Sequence, residues 1–582
     1  GRVQPLAVGP DGVACRHGRR RRDREAASED GERDDGEADQ REAPDSAGGE
    51  AASDADGDDG ASHSSRAKGR GGKALVSPRV VSLTMTVELT ARDVMQTPVV
   101  TVSPAAQLVE AARLIDEREI GSVVVAEDAR AAVRAGRERV EDVLDTDETV
   151  YGVNTGFGDL VTERISRENL DALQTNLVRS HAAGVGRELD REEVRAMLLV
   201  RLNTLLTGYS GVREIVVDHL ATLLNEGIHP VVRSTGSLGA SGDLAPLAHA
   251  ALVLIGEGEA AVDVSGDETG MAADSGGDAG EGTVERMDGA AALATADLTP
   301  LTLAPKEGLA LINGTQLTTG IGALVVHDAE RTIRAADVAG ALTTEVTMGS
   351  TASSDAAISD VRPHAGQAAS ARNVKQLTEG SGIVESHRNC DRVQDAYAIR
   401  CLPQVHGAVR DAVSHLREAV ETEANSVTDN PIIYPRDAVN DYASGTDDVA
   451  VLSAGNFHGA PLAHRLDYVV GALSSLASIC ERRVDRLLNP NLQEPHLPPF
   501  LTSEQGLQSG YMLAQYAAAA LVNETRSTGR HATDNVPVSG NQEDHVSMSS
   551  AAAQTAADTV DAVRPVVATE LENQTLEASQ RE

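Results

Sequence analysis

The sequence predicts a mainly α protein built as a bundle of long helices, with a disordered N-terminal tail and a small partial α/β fragment between tail and bundle. Three observations carry that expectation. Apolar residues recur at helical spacing through 404–427, 458–488 and 506–530, each well beyond the mean helix of about 11–12 residues. Strand-type alternation is poor outside short pieces. Residues 1–84 are dominated by Arg, Asp, Glu, Gly and Ser, too few apolar groups to offset the entropy of ordering.

Taken in order, the tail carries a basic run at 16–24 followed by an acidic one. A nucleic-acid patch is one reading of the basic run; the acidic run beside it favours a solvated polyampholyte. In 85–128, Val99-Val100-Thr101-Val102 reads as a strand, 105–117 as a helix after Ser103-Pro104, and Ser122-Val123-Val124-Val125 as a second strand. Asp93-Val94-Met95 with Pro98, and then Glu119-Ile120-Gly121-Ser122, resemble the first part of a cystathionine-β-synthase-type (CBS) repeat, a module that binds adenine nucleotides in pairs. The pattern stops after Asp128 and no second copy follows, so a non-functional fragment is expected rather than a nucleotide sensor. From 129 to 582 the chain reads as one helical domain. Segment 131–143 is a charged amphipathic helix, and 167–183 and 191–225 carry apolar residues at helical spacing. Residues 259–290, rich in Gly, Asp and Ala, read as an exposed acidic loop.

The formal net charge is -38, and Lys68, Lys73, Lys306 and Lys375 are the only lysines. Acidity with so little Lys points to a protein kept soluble in concentrated salt, where screening suppresses self-repulsion. It disfavours nucleic acid and anionic membranes as partners. Cys15, Cys390, Cys401 and Cys480 are scattered, without the spacing of a disulfide framework or a zinc site. No apolar run approaches the roughly 20 residues that span a bilayer. Arg19 to Arg22 are not followed by an apolar segment, so no secretory signal is read and a cytoplasmic protein is expected.

The stretch Gly236-Ser237-Leu238-Gly239-Ala240-Ser241-Gly242-Asp243-Leu244-Ala245-Pro246 crowds small residues between two helical patterns. At Ala240-Ser241-Gly242 the backbone can react with itself. The Gly242 nitrogen attacks the Ala240 carbonyl carbon, and loss of water, including the Ser241 hydroxyl, leaves 4-methylidene-imidazol-5-one (MIO), an electrophile. Gly242 suits the attack because it has no Cβ and tolerates unusual dihedrals. A plain small-residue turn is the alternative for the tripeptide alone. The longer string resembles the prosthetic-group loop of the aromatic amino acid ammonia-lyases, most closely their histidine-acting branch.

Other strings extend the resemblance, in the family's order, over 129–582. Tyr151-Gly152-Val153-Asn154-Thr155-Gly156-Phe157-Gly158 is Gly-rich, a mobile loop or a structural turn, and it resembles the family's Tyr loop. Ser180-His181 ends a helix, where a lone His is commonly a charge at the C-terminus. Lys306 begins a string reaching Asn313-Gly314-Thr315-Gln316; a Schiff-base lysine for pyridoxal phosphate is the rival there, without a phosphate cup beside it. Gln394, Tyr397 and Arg400 stand three apart, and on a helix neighbouring pairs would share a face; Arg400 can fork onto a carboxylate or pair with a surface Asp. Phe457 opens a long helix, with a core role as its alternative. Asn541-Gln542-Glu543-Asp544-His545 clusters carboxylates and a His; adjacent residues point apart, which disfavours a metal site.

The resemblance implies removal of ammonia from L-histidine to give trans-urocanate. It implies catalytic roles for Tyr151, Ala240, Ser241, Gly242, Tyr397 and Glu543, with Tyr151 removing the β-proton. It implies substrate binding by His181, Asn313, Gln394, Arg400 and Phe457: Arg400 and Asn313 on the carboxylate, His181 and Glu543 on the imidazole. The cofactor implied is MIO, with no metal and no pyridoxal phosphate. The fold implied is the ammonia-lyase/fumarase-like bundle, as a homotetramer whose sites draw on several subunits. A tyrosine or phenylalanine lyase or aminomutase is the alternative within enzymes, and an inactive fusion with CBS-type nucleotide binding the alternative outside them. The start of the family domain looks replaced by the CBS-like fragment.

Overall fold

Why the helices assemble as they do follows from their apolar stripes. The computed structural model describes residues 125–582, apart from 147–149, 151–153, 156–164, 265–282, 389, 441–442 and 581–582. The expected tail and nearly all of the CBS-like fragment, through residue 124, lie outside the described residues.

The first helices are α1 (Glu127–Leu144), α2 (Leu170–His181), α3 (Arg191–Leu206), α4 (Glu214–Asn225), α5 (Leu244–Leu254) and α6 (Glu307–Ile312). The bundle follows: α7 (Gln316–Val346), α8 (Ala365–Leu377), α9 (Tyr397–Arg400), α10 (Leu402–Ala424), α11 (Ala460–Leu488), α12 (Met512–Arg526) and α13 (Ser549–Gln580). Helix α11 packs on α10, α12 and α13, and α7 packs on α3, α10 and α13. On α11 the buried positions Leu462, Leu466, Val469, Leu473, Leu476, Cys480, Val484 and Leu487 advance by steps of four or three, the seam that lets long helices lie nearly parallel. Each such leucine contributes about 1.5–3 kcal/mol by leaving water.

The long helices expected at 404–427, 458–488 and 506–530 are α10, α11 and α12, the last one starting only at Met512. The single pattern at 191–225 is two helices, because Gly208 and Gly211 take positive φ between them. The two longest helices, α7 and α13, lay outside the expected set. Residues 259–290 are also corrected. Their ends pair as antiparallel strands, Glu259–Val264 with Thr283–Asp288, and Ile228–Pro230 pairs with the first of these. The intervening 265–282 lie outside the described residues.

Short strands elsewhere act as braces. Val185–Glu188 pairs antiparallel with Arg233–Thr235, which fixes the chain entering the Gly236–Asp243 loop. Ile432–Pro435, Val449–Leu452 and Ser444–Gly445 form a second three-stranded sheet, whose Ile433, Val449 and Val451 bury against α1.

The far end of the bundle holds a buried polar network. Arg483 (α11) pairs with Glu570 (α13), both fully buried. Its guanidinium donates to His406 Nε2 at 3.3 Å. His406 Nδ1 lies 2.7 Å from Asp337 of α7. Since Nε2 accepts, Nδ1 carries the hydrogen and the ring is neutral, in keeping with a pKa lowered by burial. Burial alone would raise Asp337, but His406 and Arg410 more than offset it and hold the carboxyl at about 2.

Candidate active site

The loop Gly236–Asp243 runs from a strand into α5, and three other regions of the chain close on it. Gly242 has φ +74° and bridges to Gly314. A Cβ there would stand 2.3 Å from the Gly314 carbonyl oxygen, so only glycine fits. Gly239 has φ +66°, and a Cβ on it would meet the hydroxyls of Ser547 and Ser549 at 2.3 Å each. Its carbonyl accepts the Gly459 amide at 3.0 Å and the Ser547 hydroxyl at 2.9 Å. The starts of α11 and α13 therefore clamp the loop from one side and the α6–α7 junction from the other.

Asp243 locks this arrangement. It is fully buried, and burial raises its pKa against the hydrogen bonds it accepts. Those come from the Thr318 amide at 2.9 Å, the Thr318 hydroxyl at 3.2 Å and Ser237 at 2.8 Å. The carboxyl thus caps α7 rather than its own helix α5, tying the loop to the start of a largely buried helix of the bundle. Nearby Glu423 also has a pKa raised by burial, and it accepts the Thr315 hydroxyl at 2.7 Å.

Ser241, half-buried, is held at both its polar atoms. Asn313 Nδ2 donates to its carbonyl oxygen at 2.8 Å, and its hydroxyl donates to Glu543 Oε1 at 2.9 Å. Glu543 reaches it from a non-helical segment, where it bridges to Val538 beside a 3₁₀ turn at Ser539–Asn541. Phe457, partly buried, precedes Gly459 by two residues. Its neighbour His458 stacks on His545 with centroids 5.8 Å apart. Four of the sequence-predicted regions, carrying Ala240-Ser241-Gly242, Asn313, Phe457 and Glu543, are brought together.

His181 ends α2. Its Nδ1 lies 2.8 Å from the Leu177 carbonyl, so Nδ1 is the donor and Nε2 is left as an acceptor. The chain just beyond it runs beside the loop, Val185 against Thr235 and Gly184 against Gly236. Tyr151 lies outside the described residues; Asn154 and Thr155 of the same string are buried.

Gln394, Tyr397 and Arg400 are not brought to Ser241 within the chain. They are exposed, Tyr397 to 72%. The helix starts only at Tyr397, with Ala396 extended, so Gln394 does not share a helical face with Tyr397. It accepts a short hydrogen bond from Arg400 instead. The segment docks at the opposite end of the bundle, where Arg483 donates to the Ala398 carbonyl at 3.2 Å and Arg392 to the Thr347 carbonyl at 2.9 Å. Gly459 and Arg483 lie 24 positions apart on α11, about 36 Å at 1.5 Å per residue. Thr318 and Thr347 set a similar span along α7.

Several residues of this centre were not singled out from sequence. Asp243, Ser237, Thr318 and Arg201 are polar and buried or half-buried around the loop. The one available signal for Arg201 was a charge amid Met197, Leu198, Leu199, Val200, Leu202 and Leu205. Lys306 is fully buried and paired to Asp429 at 2.9 Å.

The Ala-Ser-Gly loop fits the group expected from it: a glycine that admits no Cβ, a buried alanine, and a serine gripped at hydroxyl and carbonyl. Fold and site together define a class, a helix-bundle protein that holds a tightly constrained Ala-Ser-Gly main-chain loop. The chain belongs to the aromatic amino acid lyase family, whose model matches residues 105–579. It is 60% identical over 454 residues to a probable histidine ammonia-lyase of Halobacterium salinarum, covering 78% of this chain and 83% of the relative. It is 49% identical over 440 residues to the histidine ammonia-lyase of Gloeobacter violaceus, covering 75% and 79%. Among solved structures, the histidine ammonia-lyase of Trypanosoma cruzi superposes with a TM-score of 0.69 at 35% identity, covering 81% and 83%. The tyrosine aminomutase of Streptomyces globisporus gives 0.70 at 37%, covering 80% and 85%.

Proposed function

We propose that this protein is a histidine ammonia-lyase that converts L-histidine to trans-urocanate and ammonia. The observation that carries the reading is Ser241 held between Asn313 and Glu543, in a loop where Gly242 admits no side chain. Relatives at 44–60% identity over most of the chain carry that activity in their names.

MIO formed from Ala240-Ser241-Gly242 would supply an electrophile for the substrate amine. The chain's own residues do the rest. Tyr151 takes the β-proton as a phenolate, which its site must favour because a phenol titrates near pH 10 in water. Arg400 forks onto the substrate carboxylate with Asn313 beside it, and Gln394 and Tyr397 complete that end. Glu543 and His181 Nε2 meet the imidazole nitrogens, while Phe457 lines the apolar side. A pocket that hydrogen-bonds two ring nitrogens rejects a phenyl ring, because its own polar groups would be left unpaired.

The span of about 36 Å along α11 supports a site shared between chains, and the reading includes a homotetramer that joins the 394–400 segment of one subunit to the serine loop of another. Helix α12 supports this. Leu513 and Tyr516 are 69% and 59% exposed in the part of the helix, 512–523, that carries no charge, the kind of surface that association covers. The same reading makes it a salt-adapted cytoplasmic enzyme. Urocanate absorbance on incubation with histidine, against tyrosine and phenylalanine, tests the assignment. A wild type that favours either of the other two overturns it.

A further inference from the structure

A buried charge stands behind the serine loop, with no place in the substrate chemistry. Arg201 lies on α3 at 1% exposure, and its Nη1 donates to the Asn313 main-chain oxygen at 2.9 Å. Its Nε and Nη2 are buried with no protein partner. The Lys306–Asp429 pair is close enough that Asp429 attracts Arg201 and Arg201 disfavours the Lys306 cation. Arg201 and Lys306 share the one carboxylate of Asp429, so Arg201 has no ion-pair partner of its own there. Burial lowers the Arg201 pKa to about 10, which leaves it protonated at neutral pH. An under-compensated buried cation is costly, and its position suggests what offsets the cost. Asn313 connects it to one atom of the loop, the Ser241 carbonyl oxygen.

That oxygen carries charge while the prosthetic group is being made. Taking 240–242 as the precursor, as under the proposed function, two waters leave. In the first step the Gly242 nitrogen bonds to the Ala240 carbonyl carbon. The Ala240 oxygen departs with the amide hydrogens of Gly242 and Ser241. In the second step Ser241 loses its Cα hydrogen and its hydroxyl, and a Cα–Cβ double bond forms. The electron pair of the Cα–H bond passes through the Ser241 carbonyl before it expels Oγ, so negative charge gathers on that oxygen. Glu543, hydrogen-bonded to Oγ, is the group in reach to carry the proton from Cα to the departing hydroxyl. No oxidant enters either step.

We propose that Arg201 is a positioning residue for this maturation: it fixes Asn313 against the Ser241 carbonyl and supplies the positive charge that favours loss of the second water. Preorganised donors aimed at a developing oxyanion act most strongly where water is excluded.

The test is the intact mass of the purified full chain, in wild type, Arg201→Lys, Arg201→Gln and Asn313→Asp. Wild type should be lighter than its sequence by two waters. Arg201→Gln should show a mature fraction lower by about tenfold or more, while Arg201→Lys, which keeps the charge, should retain most of it. Equal maturation in Arg201→Gln and wild type overturns the inference, as does equal failure in Arg201→Gln and Arg201→Lys, since charge would then not be what matters. If Arg201→Gln does not fold, Asn313→Asp decides, because it leaves the Arg201 contact to the main chain intact while turning a carboxylate on Ser241. Full maturation of that variant overturns the inference and loss of maturation supports it. A wild type that loses no water at all would sink the reading of the loop itself, a different failure from the others.

Discussion

The serine loop and the 394–400 segment are both read as parts of one site, yet they are built in opposite ways. The loop is held by three distant regions of its own chain, with Gly239 and Gly242 wedged where no Cβ fits. In the segment Gln394, Tyr397 and Arg400 are exposed, Arg400 donates to Gln394, and the bundle grips it through the Ala398 carbonyl and the Asp395 carboxylate. The difference follows from the chemistry asked of each. Cyclising a backbone needs rigid compression before any substrate arrives. A carboxylate clamp needs only to be presented to whatever chain completes the pocket.

The harshest way to break the comparison is Ser241→Ala. Without the hydroxyl the loop cannot form the group, and turnover should fall by about 10³-fold or more, with a mass close to the unmodified sequence. Subunits carrying Ser241→Ala and subunits carrying Arg400→Ala should each be nearly inactive alone and regain activity when co-assembled. If mixed assemblies stay as dead as their parents, the two regions do not belong to sites shared between chains. Glu543→Gln keeps shape but removes the charge, and histidine turnover should drop by about 10²-fold; a variant as fast as wild type would remove Glu543 from the site. Arg400→Lys loses the bidentate fork, so kcat/KM should fall about 10- to 100-fold with KM moving most and melting unchanged, because the side chain is exposed.

The smallest effects concern the bundle that joins the two regions. His406 is buried neutral, so below the unfolded pKa near 6.5 the unfolded chain binds a proton that the folded chain refuses. Stability should therefore fall as pH drops below about 6.5, and His406→Gln should flatten that part of the profile in chemical denaturation. Repulsion within a chain of net charge -38 should be relieved by salt, so the melting temperature should climb from dilute to molar KCl. A flat curve would argue against salt adaptation.

How much of this was legible in the sequence differs between the same regions. Helices α10 and α11 announce themselves because only one face is buried, giving a clean stripe. Helix α7 is buried on most sides and carries Thr and Gly throughout, and α13 is rich in Ala, so neither shows a strong period. The loop's proposed chemistry was readable because Ala240-Ser241-Gly242 would act through local backbone. Its supports were not: Asp243 capping α7, and Arg201 behind Asn313, depend on contacts 75 and 112 positions away. Motif strings identified Gln394, Tyr397 and Arg400 as candidates but held nothing about distance, which the path of the bundle sets.

Helix α11 has one end on the Gly239 carbonyl and the other on the Ala398 carbonyl. One inserted residue would advance one end by about 1.5 Å and turn it by about 100° against the other. In the proposed assembly every copy would shift alike, so the error would repeat in each shared pocket rather than average out. Substitutions along the helix can be absorbed singly, but on the proposed reading its residue count is set by the spacing of the two surfaces it joins. Over evolutionary time that number should drift far less than the identities of the residues that fill it.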